Sequence, residues 1–297
     1  MKCRNRYLTV SLLAVLLISG CASSPQKPEL TEEQKQQEVQ SLLARAEKDV
    51  ESRNYSIALL RYEQALELDS TNSAALLGAG DVAYAMKKYP DAENYYHRVL
   101  ENQPESIDAL EGRALCQMKL GQFQAAKNNL EQLVLTDETR WRSFNALGVL
   151  SDLESRYPQA QSYYRKALEL NDGNAMILNN LGYSLVMDQK YSEAEKVLQQ
   201  AFARSSGYFR ARNNYSIALA WQKKYQDAID VLVDAVPHEV AYNNVGYIAY
   251  LNRDLDSAQF YLKKAISASS SYYPEAARTL EKVEQAMKAA KSQRSLP

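Results

Sequence analysis

The sequence predicts an all-α protein, a solenoid of about seven helix-turn-helix repeats closed by a C-terminal capping helix. Three observations lead there. Alanine recurs every 34 residues at Ala58, Ala92, Ala126, Ala160, Ala194 and Ala228, and one shortened step of 30 reaches Ala258. Twelve residues before each alanine stands a small residue: Ala46, Gly80, Ala114, Gly148, Gly182, Ser216 and Gly246. Three residues before each stands a bulky one: Tyr55, Tyr89, Phe123, Tyr157, Tyr191, Tyr225 and Leu255. Self-similarity at a fixed period signs a repeat architecture. In the copy spanning 175–194, Leu178, Leu181, Leu185 and Val186 share one helical face. Gly182 and Ala194 are expected where its two helices cross closely.

Taken in order, the chain opens with a basic segment, MKCRNRY, and an apolar run, LTVSLLAVLLIS. The run is shorter than the roughly 20 residues a permanent membrane span needs, and it fits a secretory signal over residues 1–20. The signal ends Ile18-Ser19-Gly20-Cys21, which resembles the bacterial lipobox. The resemblance implies cleavage before Cys21 and its lipidation. With Ala22 rather than aspartate next, it also implies sorting to the outer membrane of a Gram-negative cell, facing the periplasm. Several acyl chains on one residue hold stably where a single chain is marginal. Residues 21–37 then carry Pro25, Pro28 and almost nothing apolar, and read as a flexible tether. Fully stretched, about 16 residues reach roughly 50–55 Å.

Seven units follow over 38–272, starting near residues 39, 73, 107, 141, 175, 209 and 239. The eighth position is always small and the seventeenth is a bulky wedge. The twenty-fourth reads Tyr62, Tyr96, Leu130, Tyr164, Leu198, Leu232 and Leu262. The period and the small–aromatic–small pattern resemble the tetratricopeptide repeat (TPR). That resemblance implies a right-handed superhelix with a concave surface, in which each pair buries its apolar face only by stacking on its neighbours. Two units depart from the pattern. Unit three carries Arg113 where others are apolar. Unit six is four residues short and ends Val236-Pro237. That proline is expected to cut its second helix by a turn and to change the pitch locally. Residues 273–297 read as a capping helix starting at Pro274, with Ala276, Leu280, Val283 and Met287 as its apolar stripe and KSQRSLP as a frayed tail.

Composition excludes several functions. Without Lys2, Arg4 and Arg6 of the signal, 32 basic face 36 acidic residues, and no basic stripe suits nucleic acid. Cys116 is the one cysteine left in the body and reads as a buried thiol. His97 and His238 are isolated, so no metal site is expected. No Gly-rich phosphate loop occurs, and the pair Glu32-Glu33 falls in the tether. No enzyme activity, cofactor or small-molecule substrate is expected, and membrane contact is expected through the lipid alone. Function then belongs to a surface.

In TPR arrays positions two, five, six, nine, twelve and thirteen of each first helix line the concave side. Here units one to three would present Glu47, Glu51, Asp81, Asp108 and Glu111, an acidic and shallow stretch. Units four to seven would present Asn145 and the doublets Asn179-Asn180, Asn213-Asn214 and Asn243-Asn244. Tyr183, Met187, Ile217, Trp221, Tyr247, Tyr250 and Leu251 surround them. Carboxamides both donate and accept along a peptide backbone, and the apolar neighbours add sequence preference. This reads as a peptide groove, to which Arg142 and Arg210 could add charge. Asparagine at the sixth position is also simply common in such repeats, and that reading stands beside the first.

The lipobox, the tether, seven units and the strings NALGVLSD (145–152) and ILNNLGYSL (177–185) resemble the TPR lipoprotein of the tight-adherence (Tad, Flp pilus) system, TadD-like. The resemblance implies a pilotin-like role, assisting an outer-membrane secretin, with the secretin or another pilus component as partner. Two alternatives are a type IV pilus pilotin, a family that usually shows one unit fewer, and an adaptor recruiting peptidoglycan hydrolases.

Overall fold

The computed structural model describes residues 30–294. The expected signal, Cys21 and most of the expected tether lie outside them. The described residues form fifteen helices and no strand: α1 (Glu32–Glu51), α2 (Tyr55–Leu68), α3 (Ser73–Ala85), α4 (Tyr89–Asn102), α5 (Ile107–Lys119), α6 (Phe123–Thr136), α7 (Trp141–Leu153), α8 (Tyr157–Leu170), α9 (Ala175–Met187), α10 (Tyr191–Arg204), α11 (Phe209–Trp221), α12 (Tyr225–Leu232), α13 (His238–Leu251), α14 (Leu255–Ala268) and α15 (Pro274–Arg294). Each helix packs on the next, and each odd helix also touches the next odd one, whereas no two even helices meet. The odd helices therefore make the inner row of a curved array. Their outward positions form its concave face.

Why each pair turns where it does is visible in the backbone. The fifteenth residue of every unit sits in the left-handed region: Arg53, Lys87, Gly121, Ser155, Gln189, Lys223 and Arg253. The following N–H closes on the carbonyl five residues back, as in Lys88 to Ala83 (2.9 Å) and Lys190 to Leu185 (2.9 Å). This is the Schellman ending of a helix. Two residues later the second helix opens at the bulky position in all seven units. That bulky residue is a weaker wedge than its size suggests. Tyr225 is buried, but Phe123 is half exposed.

The tight crossing lies elsewhere. All seven register alanines are fully buried, and the seven residues at position twenty-four are buried. A β-carbon on Gly182 would lie 2.3 Å from Leu198 Cγ, and one on Gly80 would lie 2.8 Å from the Tyr96 ring. Position eight thus backs onto position twenty-four of its own unit. The atoms nearest that β-carbon of Gly182 all belong to Leu198, one helical turn beyond the buried Ala194.

Three boundaries differ from expectation. α1 begins at Glu32, so residues 32–37 are helical and not tether. Thr31 and Gln34 form a capping box that supplies the missing hydrogen-bond partners, and Glu32 and Glu33 sit at the favourable positive end of the helix dipole. α12 has eight residues where other second helices have fourteen. It ends five residues before Pro237, and Ala235, at an otherwise buried position, is exposed. The shortening thus exceeds the one turn expected from the proline. At the far end α15 runs through Arg294, into the stretch expected to fray. Its Ala276 and Val283 are buried, with Leu280 and Met287 packed beside them.

Candidate functional site

The concave face of units four to six holds a chain of carboxamides. Asn214 Nδ2 donates to Asn179 Oδ1 (2.9 Å), Asn179 Nδ2 to Asn180 Oδ1 (3.4 Å), and Asn180 Nδ2 to Asn145 Oδ1 (3.0 Å). Four of the expected site residues therefore meet, but they spend part of their capacity on one another. Asn179 is buried at 4% exposure and links α9 to α11 rather than facing solvent. An asparagine makes up to four hydrogen bonds, so Asn145, Asn180 and Asn214 keep capacity for a ligand. Asn213, Asn243 and Asn244 are half-buried and stay outside the ladder.

The apolar residues divide likewise. Tyr183 and Met187 are each 43% exposed, Tyr247 47% and Leu251 46%. Ile217, Trp221 and Tyr250 are half-buried against the C-terminal core. Trp221 stacks face to face on Tyr191, with centroids 5.3 Å apart and planes 2° from parallel. One face of that indole is therefore already covered. Arg210 is exposed at the start of α11.

Units two to four differ from the expected shallow acidic stretch. A groove of about 610 Å³ runs from Asp81 to Met176 over α3, α5, α7 and the start of α9. Apolar residues line much of it, including Tyr84, Leu115, Met118, Trp141 and Val149. Its carboxylates have partners within the protein. Asp81 accepts from the Tyr96 hydroxyl (2.6 Å). Glu111, buried, accepts from Ser143 (2.6 Å). Asp108 lies 2.7 Å from Arg140, whose guanidinium also reaches Asp137 (2.9 Å) and Glu111 (3.6 Å). Burial pushes the Asp81 carboxyl up, against the pull of Tyr96 and Arg142.

A related contact joins units four and five. Asp152 accepts from Tyr164 (2.8 Å) and from Ser184 (2.7 Å), and burial raises its carboxyl too. The sequence held a signal for this. Where position twenty-four is tyrosine (Tyr62, Tyr96, Tyr164), position nine or twelve of the same unit is acidic (Glu47, Asp81, Asp152). Where it is leucine, both are uncharged. A buried phenol needs an acceptor, and these acids supply one or lie near it.

Cys116 is fully buried, and burial raises its thiol to about 12, helped by the charges of Glu93 and Asp81. His97 pairs loosely with Glu101 (3.8 Å), and His238 lies beside Tyr242. Among the described residues no three metal-binding side chains gather, and no helix is long and apolar enough to cross a membrane.

Models described as the tetratricopeptide repeat match residues 50–110, 83–147, 163–196, 180–240 and 240–272. A stretch of 127 residues is 30% identical to the uncharacterized protein y4yS of Sinorhizobium fredii, covering 40% of this chain and 70% of that protein. Another of 102 residues is 26% identical to Hsp70-Hsp90 organizing protein 2 of Arabidopsis thaliana, covering 34% of this chain. The chain spans only 18% of that plant protein's length. Among solved structures, the C-terminal part of a TPR repeat-containing protein from Cytophaga hutchinsonii superposes with a TM-score of 0.58 at 16% identity, over 80% of this chain and 99% of that one. That likeness is one of fold.

Proposed function

The chain belongs to the tetratricopeptide repeat family, an architecture for protein–protein contact, and from that premise we propose that it is a pilotin-like scaffold of a Tad/Flp pilus machine. In this reading Cys21 carries the lipid, the anchor sits in the outer membrane, and the array faces the periplasm. A segment of the secretin lies across the concave face of units four to seven. The supporting observation is the exposure of Tyr183 and Met187 on α9 and of Tyr247 and Leu251 on α13, together with carboxamides that keep free donors and acceptors. Large apolar side chains exposed together mark interaction surfaces. The lipobox ending at Cys21 supports the anchor, and the strings at 145–152 and 177–185 support the pilus assignment.

The test places a photo-crosslinking amino acid at Tyr183 or Tyr247 in living cells. The secretin should be captured, and the Asn180→Ala/Asn214→Ala/Asn244→Ala variant should lose it while keeping its helicity. Capture of a cell-wall hydrolase instead, or capture indifferent to the three asparagines, would refute the reading. Cys21→Ser should release the protein from the membrane fraction.

A further inference from the structure

The groove over α3, α5 and α7 is chemically unlike the ladder, which it adjoins at Asn145 on α7. Its carboxylates are engaged: Asp81 by the Tyr96 hydroxyl, Glu111 by Ser143, and Asp108 by Arg140. Arg140 is held by three acids. Two cations remain. Among the described residues, neither the Arg142 nor the Lys119 side chain has a hydrogen bond or a carboxylate within ion-pair distance. Arg142 rests beside the Trp141 ring, its guanidinium carbon 5.5 Å from the ring centroid. Asp81 on α3 feels its charge but takes its hydrogen bond from Tyr96, and Asp108 on α5 pairs with Arg140.

The rest of the lining is largely apolar. Tyr84, Leu115, Met118, Val149 and Met176 line the groove, and glycine keeps its floor low at Gly112. A β-carbon there would lie 2.4 Å from the Tyr96 ring, so this position admits no side chain without displacing the ring. Apolar depth beside an unpaired, aromatic-backed guanidinium suits one kind of partner. A carboxylate would find a planar donor fork on Arg142, and a neighbouring large apolar side chain would fill the well.

We propose that this groove is a second docking site, taking a partner segment in which an acidic residue stands next to a large apolar one. The site meets the ladder at Asn145 and otherwise draws on different residues. Each can also fail without the other.

The chain has two tryptophans, Trp141 in this groove and Trp221 near the ladder, so 5-fluorotryptophan labelling gives one ¹⁹F NMR signal for each half. The probe is a decapeptide with a single Phe-Glu pair in a Gly/Ser background, compared with the same peptide carrying Phe-Lys. The Phe-Glu peptide should move the Trp141 signal saturably and leave that of Trp221 in place. Arg142→Glu should weaken this at least tenfold and let the Phe-Lys peptide bind instead, and Lys119→Glu should weaken it several-fold, with circular dichroism unchanged in both. A Trp141 signal that stays still up to millimolar peptide overturns the proposal. So does one that responds equally to both peptides or ignores Arg142→Glu. A shift of Trp221 alone counts against this groove and leaves the ladder reading intact.

Discussion

Replacing the non-glycine residues at position fifteen with glycine should stabilise the array. Lys87, Gln189 and Lys223 have φ of 62°, 60° and 64°, are exposed, and make no side-chain hydrogen bond. An L-residue held in the left-handed region costs about 1–2 kcal/mol. Glycine removes that strain but adds about 0.5–1 kcal/mol of backbone entropy to the unfolded chain. The net gain is roughly 0.5–1 kcal/mol per site. The three sites lie in different units and share no partner, so their effects should add. The triple variant should gain about 1.5–3 kcal/mol, or roughly 3–12 °C in melting temperature at the 2–4 °C per kcal/mol usual for a chain of this size. Gly121, at φ 77° with open space around its α-carbon, provides the reverse control, and Gly121→Ala should destabilise by about 1 kcal/mol. Thermal unfolding followed by circular dichroism measures both. A triple variant that melts lower than the parent, with Gly121→Ala neutral, would refute the assignment of the turn strain.

Other outcomes follow from the same contacts. Gly182→Ala must push a methyl to 2.3 Å from Leu198 Cγ and should cost about 1–3 kcal/mol from overpacking, whereas Gly207→Ala meets nothing within 4 Å and should be near neutral in the same melt. Asp137 is held down to about 2, first by the Thr139 hydroxyl, then by the Thr139 N–H and Arg140. Its contribution is therefore complete above the ordinary carboxylate value of 3.8 and lost as the pH falls towards 2. An NMR titration should show this low midpoint, and Thr139→Val should raise it. Cys116, buried with its thiol near 12, should react with a disulfide reagent only after denaturation; prompt reaction of the native protein would show that the α5 face opens.

Some of this molecule was legible in the chain as a string. The register alanines, the small eighth position and the bulky seventeenth placed all seven second helices at their observed first residues, because these positions are set by steric contact within one unit and recur with it. The cap helix was legible for the same reason, from its single apolar stripe. The asparagine doublets were equally visible, as residue types at concave positions.

What those asparagines do was decided only by stacking. Asn179 and Asn214 are 35 residues apart and hydrogen-bonded, and no local pattern says whether a carboxamide will turn to its neighbour or to a ligand. The same holds for Arg140, the last residue of unit three, whose guanidinium reaches Asp108 and Glu111 at the opposite end of that unit. Position fifteen is the limiting case. Arginine, lysine, serine and glutamine there share no chemistry, yet all adopt the left-handed turn, because the packing of two helices fixes the backbone and the side chain has no say. Periodicity belongs to the sequence. The meeting of residues one repeat apart belongs to the superhelix, whose curvature decides which charges find each other and which, like Arg142, are left facing the groove.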